Sequence, residues 1–376
     1  MSTPFQKVKK GNIGYCQEFS KEVAEGENGN LVHSPISCQI ALAMALAGAK
    51  GESILKIARG LHLPDDLTTA LEGLSRMVKM FQETRSVELA LANKIYIRKD
   101  SPIAEDYSSS LKQYFDIEAE NVLFMEPATV EKINDWVAKQ TNNKIKNLVD
   151  TDSFDTFTRL VLVNAVYFNG TWHHQFDESR TSNMPFYIDN EKTVDVPFMY
   201  KDTYLPHKNL EELDAQLISM HYRGRDLSME IILPNKRDGL KELEEKLATA
   251  NLSEILNSGL EGDMVVYLPR FKVETSLDLG KYLSKMGLEH IFSDSVDFSG
   301  ISPSGAKNLK VSKVMQKAFI EVNEVGTEAA VATAVFMSDC IIIKRPPCIK
   351  FDHPFVFYLT YDRTFVIFAG RVTNPA

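Results

Sequence analysis

Glu324-Val325-Gly326-Thr327-Glu328-Ala329-Ala330-Val331-Ala332-Thr333-Ala334-Val335-Phe336 carries two opposed structural signals. Four alanines within six residues favour helix. Val331, Thr333 and Val335 at two-residue spacing favour strand. The segment runs on into the apolar Cys340-Ile341-Ile342-Ile343 and then Lys344-Arg345-Pro346-Pro347. A plain reading is a helix leading into a buried strand. The other is a segment able to adopt either local structure, placed beside apolar residues and a basic pair.

The rest of the chain narrows the choice. Its 376 residues, 44% hydrophobic and 25% charged, suffice for a large core and have the composition of a soluble globular protein. A net charge of −9 argues against nucleic acid as a partner, because phosphates require a basic face. No stretch approaches the roughly 20 apolar residues of a membrane span. The N-terminal Met1-Ser2-Thr3-Pro4-Phe5-Gln6-Lys7-Val8-Lys9-Lys10 has no apolar run behind its lysines and does not read as a signal peptide. Cys16, Cys38, Cys340 and Cys348 are too few for a disulfide framework. A reducing, cytoplasmic location is expected. The alternative is an extracellular protein whose signal peptide has been removed, which the N-x-S/T triplets at Asn169 and Asn251 keep open.

Helical spacing places Ile13, Cys16, Phe19 and Val23 on one face of a helix over 12–24. Residues 36–49 are apolar almost all round, which predicts a buried helix, with Ser34 and Pro35 as cap and first turn. A surface helix is expected over 128–149. Residues 160–168 are nearly continuous and apolar, as in a strand buried on both faces. Residues 227–233 and 264–268 read as strands ended by Pro234 and Pro269, and 355–359 and 365–369 as a hairpin around the four-residue turn Tyr361-Asp362-Arg363-Thr364. Helices are thus expected to dominate the first 150 residues and strands the rest, an α+β pattern. No linker, repeat or low-complexity tract divides residues 1–376, so one domain is expected.

Catalytic signatures are missing: there is no G-x-S-x-G, P-loop, H-E-x-x-H or G-x-G-x-x-G. His173 and His174 are adjacent, and on a strand they would point to opposite faces, which argues against a metal site. Nothing beside Cys340 lowers a thiol pKa. No enzyme, cofactor or metal is expected.

Several segments together resemble the serpin family, over nearly the whole chain. Asn30-Leu31-Val32-His33-Ser34-Pro35-Ile36-Ser37 is similar to that family's helix B start, and 162–172 (LVNAVYFNGTW) to its third sheet-A strand. Asp297-Phe298-Ser299-Gly300 resembles its Asp-Phe-Ser-Gly turn, and 351–357 with 370–375 its C-terminal hairpin. The resemblance implies the serpin fold, a helical bundle with three β-sheets and an exposed reactive-centre loop at about 324–347.

It also implies a suicide-substrate inhibitor of serine or papain-like cysteine endopeptidases. The protease cleaves the loop, forms a covalent acyl-enzyme and is trapped as the loop inserts into sheet A. The alternative is a non-inhibitory serpin acting as a binding or storage protein. A monomer is expected.

The hinge implied is Glu324, Gly326, Thr327, Glu328, Ala329, Ala330, Val331 and Ala332. At two-residue spacing one face reads Thr327, Ala329, Val331, Thr333 and Val335, small or β-branched residues that a sheet can bury. Ser34, Ser37 and Asn164 resemble the shutter cluster, with Gln316 where many serpins carry histidine. Trp172 resembles the breach tryptophan and Arg270 the basic partner of Glu324. Family spacing from the hinge puts the scissile bond at Cys340-Ile341. Counting back from Pro354-Phe355 puts it near Ile343-Lys344, and cleavage after Lys344 would suit a trypsin-like pocket. A heparin site is not expected, because Arg76, Lys79 and Arg85 are interspersed with Glu72, Glu83 and Glu88.

Overall fold

The computed structural model describes residues 2–84, 86–302, 309–327 and 346–376. The first part of the chain forms helices α1 (Pro4–Gly26), α2 (Pro35–Ala47), α3 (Glu52–Gly60), α4 (Leu67–Glu83), α5 (Glu105–Phe115) and α6 (Pro127–Gln140). Strands β1 (Leu31–His33), β2 (Glu88–Arg98) and β3 (Glu120–Val122) interrupt them. Next come β4 (Leu160–Thr171), β5 (Ser182–Tyr187), β6 (Thr193–Leu210), β7 (Ala215–His221) and β8 (Leu227–Pro234). After α7 (Leu240–Leu247) and α8 (Leu252–Leu256) come β9 (Leu260–Pro269), β10 (Phe271–Asp278) and α9 (Gly280–Leu283). The last described strands are β11 (Val311–Val322), β12 (Gly326–Thr327), β13 (Cys348–Lys350), β14 (Phe355–Tyr361) and β15 (Phe365–Val372).

Two sequence expectations need correction. The helix expected over 128–149 stops at Gln140. The Thr141 hydroxyl donates back to Val137 O at 2.8 Å, and Asn142, Asn143 and Asn147 take positive φ, a region asparagine tolerates but a helix does not. Helices do dominate the first 150 residues, with β1, β2 and β3 between them. The last turn is three residues long: Tyr361 still pairs with Phe365, and Asp362 and Arg363 both adopt φ near 48°.

Among the described residues the strands form two sheets. A nine-stranded sheet runs β1-β15-β14-β8-β7-β6-β9-β13, with β5 on β6. A six-stranded sheet runs β10-β11-β12-β4-β2-β3, and here β11 and β4 also pair directly. The second sheet is covered on both faces, which explains why β4 reads as an unbroken apolar run. Leu160, Leu162, Val166 and Phe168 join the main core with α2, while Val161, Val163, Ala165 and Tyr167 pack with Ile133 and Val137 of α6. Helix α2 is buried from Pro35 to Leu46. Pro35 occupies its first turn and Ser34 caps it, the Ser34 hydroxyl accepting from Ser37 N at 3.4 Å.

Candidate functional site

The six-stranded sheet is open at one end. Strands β4 and β11 pair in parallel from Leu160 and Val311 up to Tyr167 and Phe319. Beyond that level they part, and β12 fills the gap. Thr327 pairs with Gly170 of β4 and with Val322 of β11, and Gly326 pairs with Thr171. A β-carbon at Gly326 would lie 2.0 Å from Gly170 O, so only glycine allows the strands to approach this closely. Thr327 is fully buried and its hydroxyl meets Tyr222 Oη at 2.8 Å.

Tyr222 is stacked on Trp172, with ring centroids 4.3 Å apart. The Trp172 indole donates to Asn323 O at 3.0 Å, Trp172 N to Val325 O and Phe176 N to Glu324 O, both at 2.9 Å. Asn323, Glu324 and Val325 are therefore held by the segment that follows β4. Glu324, 5% exposed, accepts from Arg270 Nε at 2.8 and 2.9 Å and from the Thr181 hydroxyl at 2.5 Å. Arg270 also reaches Glu178 at 3.4 Å. The Glu324 carboxylate, hydrogen-bonded to Arg270, raises the guanidinium pKa still further. Trp172, Phe176, Glu178, Arg270, Asn323, Glu324 and Val325 line a cleft of about 1520 Å³ at the open end of the sheet.

Further down, a buried polar cluster crosses the sheet. Gln316 of β11 lies directly opposite Asn164 of β4, and Asn164 opposite Asn93 of β2. Gln316 Nε2 donates to Asn164 Oδ1 at 2.7 Å and to Ser34 O at 2.9 Å, and Gln316 Oε1 accepts from Ser34 N at 2.9 Å. Asn164 Nδ2 donates to Asn93 Oδ1 at 2.5 Å and to the Ser37 hydroxyl. Ser34 Oγ donates to Ile367 O at 2.5 Å, linking the cluster to β15. Every member is buried, so each bond substitutes for water that cannot enter.

Ser34, Ser37, Asn164 and Gln316 thus meet in one cluster, and Trp172, Arg270, Glu324, Gly326 and Thr327 in another. Asn93 was missed. Its signal is an amide interrupting the alternation of Leu89, Leu91, Ile95 and Ile97, visible only once β2 is recognised as a strand. Glu328, Ala329, Ala330, Val331, Ala332, Cys340, Ile341, Ile343 and Lys344 lie outside the described residues. His173 and His174 follow β4 instead of lying in a strand, and their ring centroids are 4.5 Å apart. The expectation of opposite faces is therefore corrected, although no group of three metal-binding side chains occurs among the described residues.

Residues 10–375 match the model of one family, described as serpin (serine protease inhibitor). That description also corrects the sequence argument about enzymes. Missing motifs framed the chain by what it lacks, whereas the family description defines it by its action on an enzyme. The chain is similar to antichymotrypsin-2 of Bombyx mori, 36% identical over 94% of this chain and 95% of that protein. It is 33% identical to human serpin B3 over 98% and 99% of the two chains. The crystal structure of Serpin48, a highly specific serpin of Tenebrio molitor, superimposes with a TM-score of 0.89 at 33% identity, covering 98% of each chain. No described helix is long and apolar enough to cross a membrane. With a family model over nearly its full length and relatives of this identity and coverage, the chain belongs to the serpin family.

Proposed function

We propose that the chain inhibits endopeptidases as a suicide substrate. The catalytic serine or cysteine of the protease attacks the carbonyl carbon of the scissile residue, Cys340 or one of Ile343 and Lys344. The peptide C–N bond breaks, the amine leaves with a proton as a new N-terminus, and an ester or thioester joins the two proteins. The freed segment then continues β12 down between β4 and β11. Each residue added gains ladder hydrogen bonds on both sides. In the register of Thr327, the sequence alternation sends Ala329 and Val331 toward the α2 side, and neither carries a charge.

The observation that carries this reading is the seating of Gly326 and Thr327 between two strands that pair directly just below them. Ser34, Ser37, Asn93, Asn164 and Gln316 are proposed to hold the closed part together, and Trp172, Arg270 and Glu324 to set where insertion begins. The unpaired, buried thiols of Cys16 and Cys38 support a reducing compartment.

The test is incubation with trypsin-like, chymotrypsin-like and papain-like proteases. Denaturing gels and the mass of the C-terminal peptide are the readouts. A covalent complex is expected, and the mass fixes the bond. Cleavage without a complex and without a gain in thermal stability would overturn the proposal and favour a binding protein.

A further inference from the structure

The cleft beside the hinge has one end whose charges the inhibitory reading does not use. His173 and His174 are exposed there, and both line the cleft with Lys201 and Arg223. Arg225 donates to His173 Nε2 at 3.0 and 3.3 Å. Arg363 donates to His221 Nε2 at 3.0 Å. Lys201 donates to the backbone oxygens of His174 and Gln175. Arg225 and Lys201 thus spend donors on neutral acceptors, as does Arg363, which also approaches the buried Glu230 carboxylate at 3.9 Å. Arg270, across the same cleft, is paired with Glu324 and Glu178.

The cations oppose protonation of the rings between them. Burial and then Arg225, Lys201 and Arg223 hold His173 below the ordinary histidine range. Burial and then Lys201, His173 and Arg225 do the same for His174, and burial with Arg363, Arg225 and His173 takes His221 down to about 4. The acids on the cleft are Asp177, Glu178, Asp195, Asp202, Glu321 and Glu324. None is among the charges bearing on either exposed ring. Asp177 is occupied by Ser179, whose backbone N–H and hydroxyl both donate to it.

We propose that this end of the cleft binds a small, multiply charged oxyanion of the phosphate or sulfate class, held by Arg223 and Arg225 beside His173 and His174. Guanidinium forks match such oxygens in pairs, and the anion relieves the repulsion among the cations. It also favours the charged form of both rings, so binding takes up protons and tightens as pH falls. The segment carrying the histidines is the one whose Trp172 and Phe176 amides hold Val325 and Glu324, so the bound anion stiffens the hinge support.

The test is isothermal titration of the full chain with sodium pyrophosphate at about pH 6 and about pH 8, in paired buffers of different ionisation enthalpy. A sulfated disaccharide is run in parallel to separate the two oxyanion classes. Affinity several-fold higher at the lower pH, with net proton uptake, is expected. Arg223→Ala with Arg225→Ala should weaken binding at least about tenfold. Burial lowers the Lys201 pKa to about 7, so Lys201 also takes up protons in this range. His173→Gln with His174→Gln should cut the proton uptake by at least half while leaving binding at the higher pH, and an undiminished uptake would overturn the role of the rings. Lys112→Ala, on α5, should change nothing. No heat from either anion at millimolar concentration, equal affinity at both pH values, or an unaffected double arginine variant would each overturn the proposal. No protease enters these measurements, so they stand or fall apart from the inhibition test.

Discussion

Strands β4 and β11 meet in two different ways along their length. In the lower stretch they pair directly, and neutral amides and hydroxyls from β2, β4, β11 and α2 join across the seam. At the upper end they are held apart by two residues of hinge, pinned by an ion pair, an indole and a buried tyrosine. The lower contact is a closed ladder and the upper one an entry already begun. On the proposed mechanism an inserted strand would separate Gln316 from Asn164, so the lower cluster would set a barrier and the upper one a starting register. That difference gives the two regions distinct signatures under mutation.

The largest effect is expected where the two regions join. Thr327→Arg would place a charge in a fully buried site between β4 and β11. Covalent complex formation should vanish while cleavage continues. Undiminished inhibition by this variant would refute insertion from Thr327.

Asn164→Ala should be next. It leaves Gln316, Asn93 and Ser37 short of buried partners, a loss of about 2–4 kcal/mol. Removal of the cross-seam bond should also let the uncut protein take up an added peptide strand, measurable as a mobility shift on native gels.

Arg270→Ala attacks the upper region alone. Glu324 keeps Thr181 but loses its cation, at a cost of about 1–3 kcal/mol. Thermal melts should show this loss without the peptide uptake of the Asn164 variant. Equal uptake in both would erase the distinction between barrier and register.

The smallest effect near neutral pH is one of titration, and it grows as the solution is acidified. The amides and hydroxyls of the lower cluster do not titrate, so acid sensitivity beside it falls to His33, which adjoins Ser34. Burial pushes its pKa down to about 3. A depressed histidine contributes stability that is complete above its unfolded value near 6.5 and is lost as pH falls toward the folded value. The slope is about 1.4 kcal/mol per pH unit across that window. His33→Asn should flatten that part of the profile, and an unchanged slope would assign it elsewhere.

Parts of this arrangement were legible in the sequence for physical reasons. The unbroken apolar run of β4 follows from burial on both faces, and the apolar faces of α1 and α2 follow from helical spacing. Strand β2 was not legible, because small alanines on its second face blur the alternation of Leu89, Leu91, Ile95 and Ile97. Asn93 depends on register: it matters because it faces Asn164, and nothing local records that pairing. The end of α6 at Gln140 was missed because apolar Ile145, Leu148 and Val149 continue to pack on the sheet after the helix has stopped. The approach of Arg270 to Glu324 joins residues far apart in the chain, and only the resemblance to a family pointed to it.

The course of the chain after the loop gives the molecule a mechanical property. Strands β14 and β15 lie inside the nine-stranded sheet, between β8 and β1. Asn30 binds the backbone of Thr373 and Asn374, and Arg371 reaches the carbonyls of Ala24 and Gly29. A cut between Cys340 and Lys344 severs the polypeptide without removing any of these contacts. The cleaved product should behave as one particle in native solution and fall into two pieces only in denaturant, so a cut there would act like a blown fuse in a housing that stays shut.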